Sequence, residues 1–306
     1  MNRTISFVSW NVRGLGQSSR CDDVLAELLS VRPSIVALQE TKLPTVSNQK
    51  RNSFLPARLS NFVTRDSVGA SGGMLTAWDA SVFSLENASP LPYTLTSGLS
   101  LRADSVSFSL TNVYAPTSRE NKPAFFRELA SIADSISSPW MLLGDFNLTR
   151  FPDDKNTGSF NVADADRFNE VISALGLIEI PLVDRAYTWS NRRDEPTLVR
   201  LDRCFVSLDW DTVFPNTTLR SLSRFASDHV PLVATASTSI PRSVCFRFEN
   251  SWMHHRHFPP LDPGRLGSAG DWQHGEMFRP TFETLQKHLP YLVSPAYPCS
   301  SPGERH

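Results

Sequence analysis

The 306-residue sequence predicts a layered α/β fold, with mixed β-sheets inside and helices outside. Three observations lead there. Short apolar runs bounded by Pro, Gly and Ser alternate with amphipathic segments between residues 4 and 236. Strand-like runs outnumber helical ones. Many neighbouring runs lie close enough in sequence to pair antiparallel, which suits mixed sheets covered by helices.

The elements follow in order. TISFVSW (4–10) reads as a strand, and CDDVLAELLS (21–30) carries Val24, Leu25, Leu28 and Leu29 at helical spacing. SIVALQE (34–40) is a second buried strand, entered through Pro33. GGMLTAWD (72–79), VFSLEN (82–87), LSLRADSVSF (99–108) and SFSLTNVYA (107–115) are β-rich. ENKPAFFRELASIADSI (120–136) is an amphipathic helix with Phe125, Phe126, Leu129 and Ile132 on one face. WMLLGDFN (140–147) is a buried strand that ends abruptly in polar residues. DADRFNEVISALGL (164–177) is a further helix, with Gly176 near its end. AYTWSN, LVRLDRCFVS and VPLVATAS complete the strands. From about Ser237 the texture changes to Pro, Gly, Ser and His with few periodic apolar segments. The expected organisation is one domain over 1–238 and a largely irregular tail over 239–306.

Bulk properties exclude several classes. A net charge of −1 gives no global basic field, although a local patch remains open. Cys21, Cys204, Cys245 and Cys299 lie far apart with no CxxC pair, which disfavours a structural zinc site and a disulfide framework and suits a reducing compartment. The N-terminus lacks an apolar stretch of signal-peptide length, and no run approaches the roughly 18 apolar residues of a membrane span.

The strand ends carry the chemistry. Six runs finish at, or lead into, Asn11, Glu40, Tyr114, Asp145 with Asn147, Asp202, and Asp228 with His229. In layered α/β folds, ligands bind at strand ends and the loops beyond them. Convergence of these ends suits metal-assisted phosphoryl chemistry. Glu40 is a hard oxygen ligand for Mg²⁺. His229 can donate to a phosphoryl oxygen, and a neighbouring carboxylate would orient it. Asn11 and Asn147 orient groups without adding negative charge, and Asp145 can accept a proton from attacking water. Singly, each residue is also an ordinary turn residue, cap or surface partner. Six in this order are far harder to obtain by chance.

The segments SWNVRG (9–14), ALQET (37–41), NVYAP (112–116), LLGDFN (142–147), RLDRCFVS (200–207) and SDHVPL (227–232) resemble the endonuclease/exonuclease/phosphatase family, in the family's order. The resemblance implies a four-layer α/β sandwich of two packed mixed β-sheets flanked by helices, Mg²⁺ dependence with Mn²⁺ as a substitute, and phosphoester hydrolysis. Within the family, SWNVRGLG, LQETK, YTWSN and FRFENSWM (246–253) are similar to the endonuclease module of plant non-LTR (LINE-type) retrotransposon polyproteins. The chain stops at His306 without a polymerase-sized segment, so it looks like a nuclease module separated from its element.

The resemblance implies roles. Glu40 is the principal metal ligand, with Asn11 beside it and Asp228 near the metal. Tyr114 contacts the scissile phosphate, Asp145 manages the proton of the attacking water and Asn147 positions it. Asp202 pairs with His229, which stabilises the phosphorane-like charge. Thr188 falls where the family places a polar group close to the phosphate. Members that repair DNA carry an Asp two residues after the first Asn, and here that place is Arg13.

YTWSNRRDEPTLVRLDR (187–203) reads as a hairpin with Arg192 and Arg193 near its tip, flanked by Arg185, Arg200 and Arg203. Such arginines enter a minor groove or hold phosphates, while Asp194 and Glu195 make a solvated hairpin an equal reading. The resemblance favours DNA. HHRH (254–257) reads as a solvated stretch of the tail. Three functions follow: a DNA endonuclease that nicks one strand, a phosphatase or phosphodiesterase for a small phosphorylated molecule or lipid, and an inactive relic. Expected partners are DNA and a parent reverse transcriptase or element RNA in trans, for a monomer in the nucleus or cytoplasm with no membrane.

Overall fold

The computed structural model describes residues 4–239 apart from 70, 159 and 224–226. The elements in chain order are β1 (Thr4–Asn11), α1 (Ser18–Val31), β2 (Ile35–Gln39), α2 (Asn48–Asn52), β3 (Asn61–Val68), β4 (Ser71–Trp78), β5 (Phe83–Pro90), β6 (Thr94–Leu101) and β7 (Ser107–Tyr114). There follow α3 (Lys122–Ser135), β8 (Trp140–Asp145), α4 (Val162–Ala174), β9 (Ile178–Glu179), β10 (Trp189–Ser190), β11 (Leu198–Val199), β12 (Asp202–Val206), α5 (Leu208–Val213), β13 (Asn216–Ser221) and β14 (Leu232–Ser237).

Two six-stranded sheets form, in the orders β13-β14-β1-β2-β4-β3 and β5-β6-β7-β8-β12-β9. Each holds one parallel pair at its centre, β1 with β2 and β7 with β8, joined by a crossover that contains a helix. The remaining pairs within both sheets are antiparallel, so the sheets are mixed.

Period-two side-chain alternation builds the layers. Ile5 and Phe7 of β1 face a core shared with Phe108, Leu110, Met141 and Leu143 of the other sheet. Val8 and Trp10 of β1 face the opposite way, onto Cys21, Val24 and Leu28 of α1. Trp140 and Leu142 of β8 likewise turn outward, onto Phe125, Leu129 and Phe168 of α3 and α4. The result is helix, sheet, sheet, helix. Every residue of β8 is buried because both of its faces are covered.

The structure refines the sequence reading in several places. The face of α1 that packs is Cys21, Val24 and Leu28, whereas Leu29 is 56% exposed. Residues 99–108 are not one strand: β6 ends at Leu101 and β7 starts at Ser107, with Ser105 in the left-handed region between them. LVRLDRCFVS is split between β11 and β12, because the chain passes from a two-stranded ribbon into a main sheet at Arg200 and Leu201. The strands β3 and β13 lack continuous apolar runs and were invisible to that reading. FRFENSWM, HHRH and the proposed tail beyond 239 lie outside the described residues. Among the described residues, no helix is long and apolar enough to cross a membrane.

Candidate active site

Register places the strand ends along one edge of the sandwich. Asn11 lies opposite Gln39, which precedes Glu40; Tyr114 lies opposite Asp145, and Asp145 opposite Asp202. His229 arrives on the loop before β14, and that loop is tied in by the Ser227 hydroxyl, which donates to Asn11 O at 2.7 Å.

The innermost group spans both sheets. Asp145, 1% exposed, accepts from Asn11 Nδ2 at 2.9 Å and from Asn147 Nδ2 at 3.2 Å on Oδ2, and from Asn147 N at 3.0 Å on Oδ1. Asn147 also donates to Ala115 O at 2.9 Å. His229 Nδ1 faces Asp202 Oδ2 at 2.9 Å, and its Nε2 stands 3.7 Å from Asp145 Oδ2. An aspartate on Nδ1 fixes the tautomer and leaves Nε2 for the chemistry. Burial pushes the Asp145 carboxyl well above the ordinary carboxylate range, and the charge of Asp202 adds to this while that of His229 opposes it. Burial alone would lower the His229 imidazole, but Asp202 and Asp145 outweigh it and raise the group. A carboxyl that accepts a proton near neutrality beside a charged imidazole suits proton transfer and stabilisation of developing negative charge.

A second group lies beside the first. Glu40 Oε1 is 2.9 Å from Lys42 Nζ and 3.9 Å from Arg13 Nε. Arg13 also reaches Asp228 Oδ2 at 3.3 Å, and its backbone N–H donates to Asn11 Oδ1 at 3.1 Å. Tyr114 is half-buried beside them, and burial with the nearby Glu40 and Asp145 charges raises its phenol so that it stays protonated.

Thr188 sits behind the site. It is fully buried, and its hydroxyl accepts from the backbone N–H groups of Leu201 and Asp202 at 3.0 Å each, so it sets the start of β12. Arg192 and Arg193 are exposed on the turn between β10 and β11. That ribbon is fastened to the site through Trp189, whose Nε1 donates to Asp228 Oδ2 at 2.9 Å, and through Ser190 N, which donates to Asp228 O. Arg203 corrects the sequence reading of the hairpin's flank. It is 1% exposed and engages Glu179 Oε1 at 2.6 Å and Asp154 Oδ2, so it is unavailable to a polyanion.

Sequence reasoning did not assign Lys42, Trp189, Ser227 or the Gln39–Asn112 pair beneath the site. Lys42, Ser227 and Gln39 adjoin assigned residues in ALQETK and SDHVPL, which was the available signal. Backbone strain was the hidden part. Arg13, Glu40, Lys42 and Asn147 all adopt positive φ, between 47° and 55°. Left-handed non-glycine residues are uncommon and gather at functional sites.

A sequence profile of the Endonuclease/Exonuclease/phosphatase family matches residues 8–229. The chain belongs to this family and is a hydrolytic phosphoesterase by class. It is 28% identical over 225 residues to the Transposon TX1 uncharacterized 149 kDa protein of Xenopus laevis, a match that takes in 68% of this chain and 16% of that protein. The AP endonuclease LMAP from Leishmania major shares the fold with a TM-score of 0.62 at 18% identity, covering 76% of this chain and 88% of LMAP. The endonuclease domain of TRAS1, a telomere-specific non-LTR retrotransposon, does so with a TM-score of 0.57 at 14% identity, covering 76% of this chain and 98% of that domain.

Proposed function

We propose that the chain is a Mg²⁺-dependent DNA endonuclease of retrotransposon type, which nicks one strand to leave a 3′-hydroxyl and a 5′-phosphate. The observation that carries this reading is the buried Asp202–His229–Asp145 arrangement locked across two sheets by Asn11 and Asn147. The transposon protein and the retrotransposon endonuclease among its relatives support the choice of DNA.

In this mechanism Asp145 takes a proton from the attacking water, whose oxygen forms the new bond to phosphorus. Asn147 positions that water, and the bond to the 3′-oxygen breaks as that oxygen takes up a proton. His229, oriented by Asp202, holds the charge that builds on the phosphoryl oxygen, and Tyr114 contacts the phosphate. The ligand set Glu40, Asn11 and Asp228 fits Mg²⁺ in kind: each offers hard oxygen, and the Glu40 carboxylate already draws two side-chain cations. When bound, the ion supplies Lewis-acid polarisation of the phosphate. Arg192 and Arg193 contact the duplex backbone or minor groove, with binding that weakens as salt rises. The chain works as a monomer on DNA, with a reverse transcriptase or element RNA supplied in trans.

The test is supercoiled plasmid with Mg²⁺, beside Asp145→Ala, His229→Ala and an EDTA control. Open-circle product from wild type alone supports the reading. A folded wild type that leaves plasmid intact but releases phosphate from small phosphoesters would replace the endonuclease reading with a phosphatase.

A further inference from the structure

The carboxylates assigned to the metal are not bare. Glu40 lies within 4 Å of both Lys42 and Arg13, and Arg13 bridges from Glu40 to Asp228. Two negative and two positive charges therefore balance locally. A divalent ion added to that set would leave an excess of two positive charges at close range, and Coulomb repulsion opposes this.

Neither cation is placed at random. Lys42 is held by its backbone, whose N–H donates to Gly72 O at 3.0 Å. Its aliphatic stem lies over Gly14, where an added Cβ would meet Lys42 Cδ at 3.2 Å. Arg13 is fixed by the bond from its N–H to Asn11 Oδ1. Both residues share the left-handed backbone of Glu40 itself. Yet the Arg13 and Lys42 side chains keep 47% and 34% of their surface exposed, which leaves their charged ends room to swing outward.

We infer that Arg13 and Lys42 are resident counter-ions of the Glu40–Asp228 pair, so that metal binding is an exchange in which the divalent ion displaces two side-chain cations. This rests on the metal reading given above. The exchange lowers metal affinity relative to the same carboxylates without the cations. It also releases a guanidinium and an ammonium at the place where a phosphodiester would lie. Coupling is reciprocal, so anything that draws Arg13 or Lys42 away from Glu40 tightens the metal.

Mn²⁺ titration into the full chain without DNA, read from the electron paramagnetic resonance of free Mn²⁺, tests this independently of catalysis. Glu40→Gln should remove the site. Arg13→Gln and Lys42→Met should each tighten Mn²⁺ about tenfold, the scale of one unit charge near a divalent ion at a solvated surface. Arg13→Lys keeps the charge and should stay near wild type. Thermal melts establish that each variant is folded, and Lys42→Met retains the stem over Gly14. Unchanged or weaker Mn²⁺ affinity in both charge-removing variants would overturn the inference while leaving the metal site intact. Equal tightening by Arg13→Lys would also overturn it. A wild type with no Glu40-dependent Mn²⁺ site would sink the metal reading as well.

Discussion

Gln39 Nε2 donates to Asn112 Oδ1 at 2.8 Å, linking the centre of one sheet to the centre of the other. Both residues are fully buried. Asn112 Nδ2 in turn donates to Leu38 O and Leu75 O at 3.1 Å, so one amide ties three strands. Glu40 follows Gln39 directly, and Tyr114 lies two residues beyond Asn112, so this pair sets the spacing of two site residues. Asn112→Leu should lower stability by about 2–4 kcal/mol, because it strips a buried donor from Leu38 O and Leu75 O, leaves Gln39 Nε2 only Ser9 Oγ and Ala37 O, and disturbs packing. Urea denaturation measures it, and a loss under 1 kcal/mol would show that the pair is dispensable.

Asp202 touches His229 through Nδ1 and does not need to meet substrate. Asp202→Asn keeps the shape but no longer favours the tautomer with a proton on Nδ1 or the charged ring. Phosphodiester hydrolysis should fall by about 10²–10⁴ in kcat with little change in KM. A comparable fall in Asp202→Asn and His229→Gln, with no further loss in the double variant, is the expected signature of one functional unit. Independent losses would contradict it.

Much of this site was legible because its residues end apolar strands. Asn11, Glu40, Tyr114, Asp145 and Asp202 are polar interruptions at the edges of buried runs, and period two with turn residues located those runs. The remainder had no periodic signal. Gln39 and Asn112 are fully buried polar residues among apolar neighbours in their strands, where an apolar reading passes over them. The positive φ of Glu40 runs against the local preference of a glutamate, and that of Asn147, a type that tolerates it, is one conformation among several open to an Asn. Arg203 looked like a surface arginine because composition cannot reveal partners 49 and 24 residues away. The strand β3 is mostly half-exposed, so its alternation is weak.

The Arg203 cluster predicts how stability depends on acid. Glu179 lies between Arg203 and Arg150, and both arginines bond it. Burial alone would raise the Glu179 carboxyl, but the two guanidinium groups outweigh burial and hold it below its ordinary value. A carboxyl depressed in the folded state contributes stability above its unfolded pKa and loses it as pH falls through the folded value. The urea midpoint should therefore drop below the ordinary carboxylate range, and Glu179→Gln should flatten that part of the profile. At neutral pH, Arg203→Met should lower stability by about 3–5 kcal/mol, since it leaves Glu179 and Asp154 buried beside fewer cations. A pH profile identical in wild type and Glu179→Gln would refute the assignment.

Gly144 makes the last and sharpest prediction. It precedes Asp145 at the end of β8, pairs with Val113 of β7, and has φ +147°. An added Cβ would stand 2.1 Å from Val113 O and 2.8 Å from Val113 N, which are backbone atoms that a rotamer change cannot move. Gly144→Ala must therefore push β8 away from β7, between the strands that carry Asp145 and Tyr114. We expect a loss of about 3 kcal/mol or more, within the range of strain at a special backbone position. Any folded fraction should lose hydrolysis beyond what its stability explains, because Asp145 would be displaced from Asn11 and His229. Calorimetry and kcat on the soluble fraction read both effects. A Gly144→Ala protein with wild-type Tm and activity would mean that β7 and β8 approach less closely than their register describes.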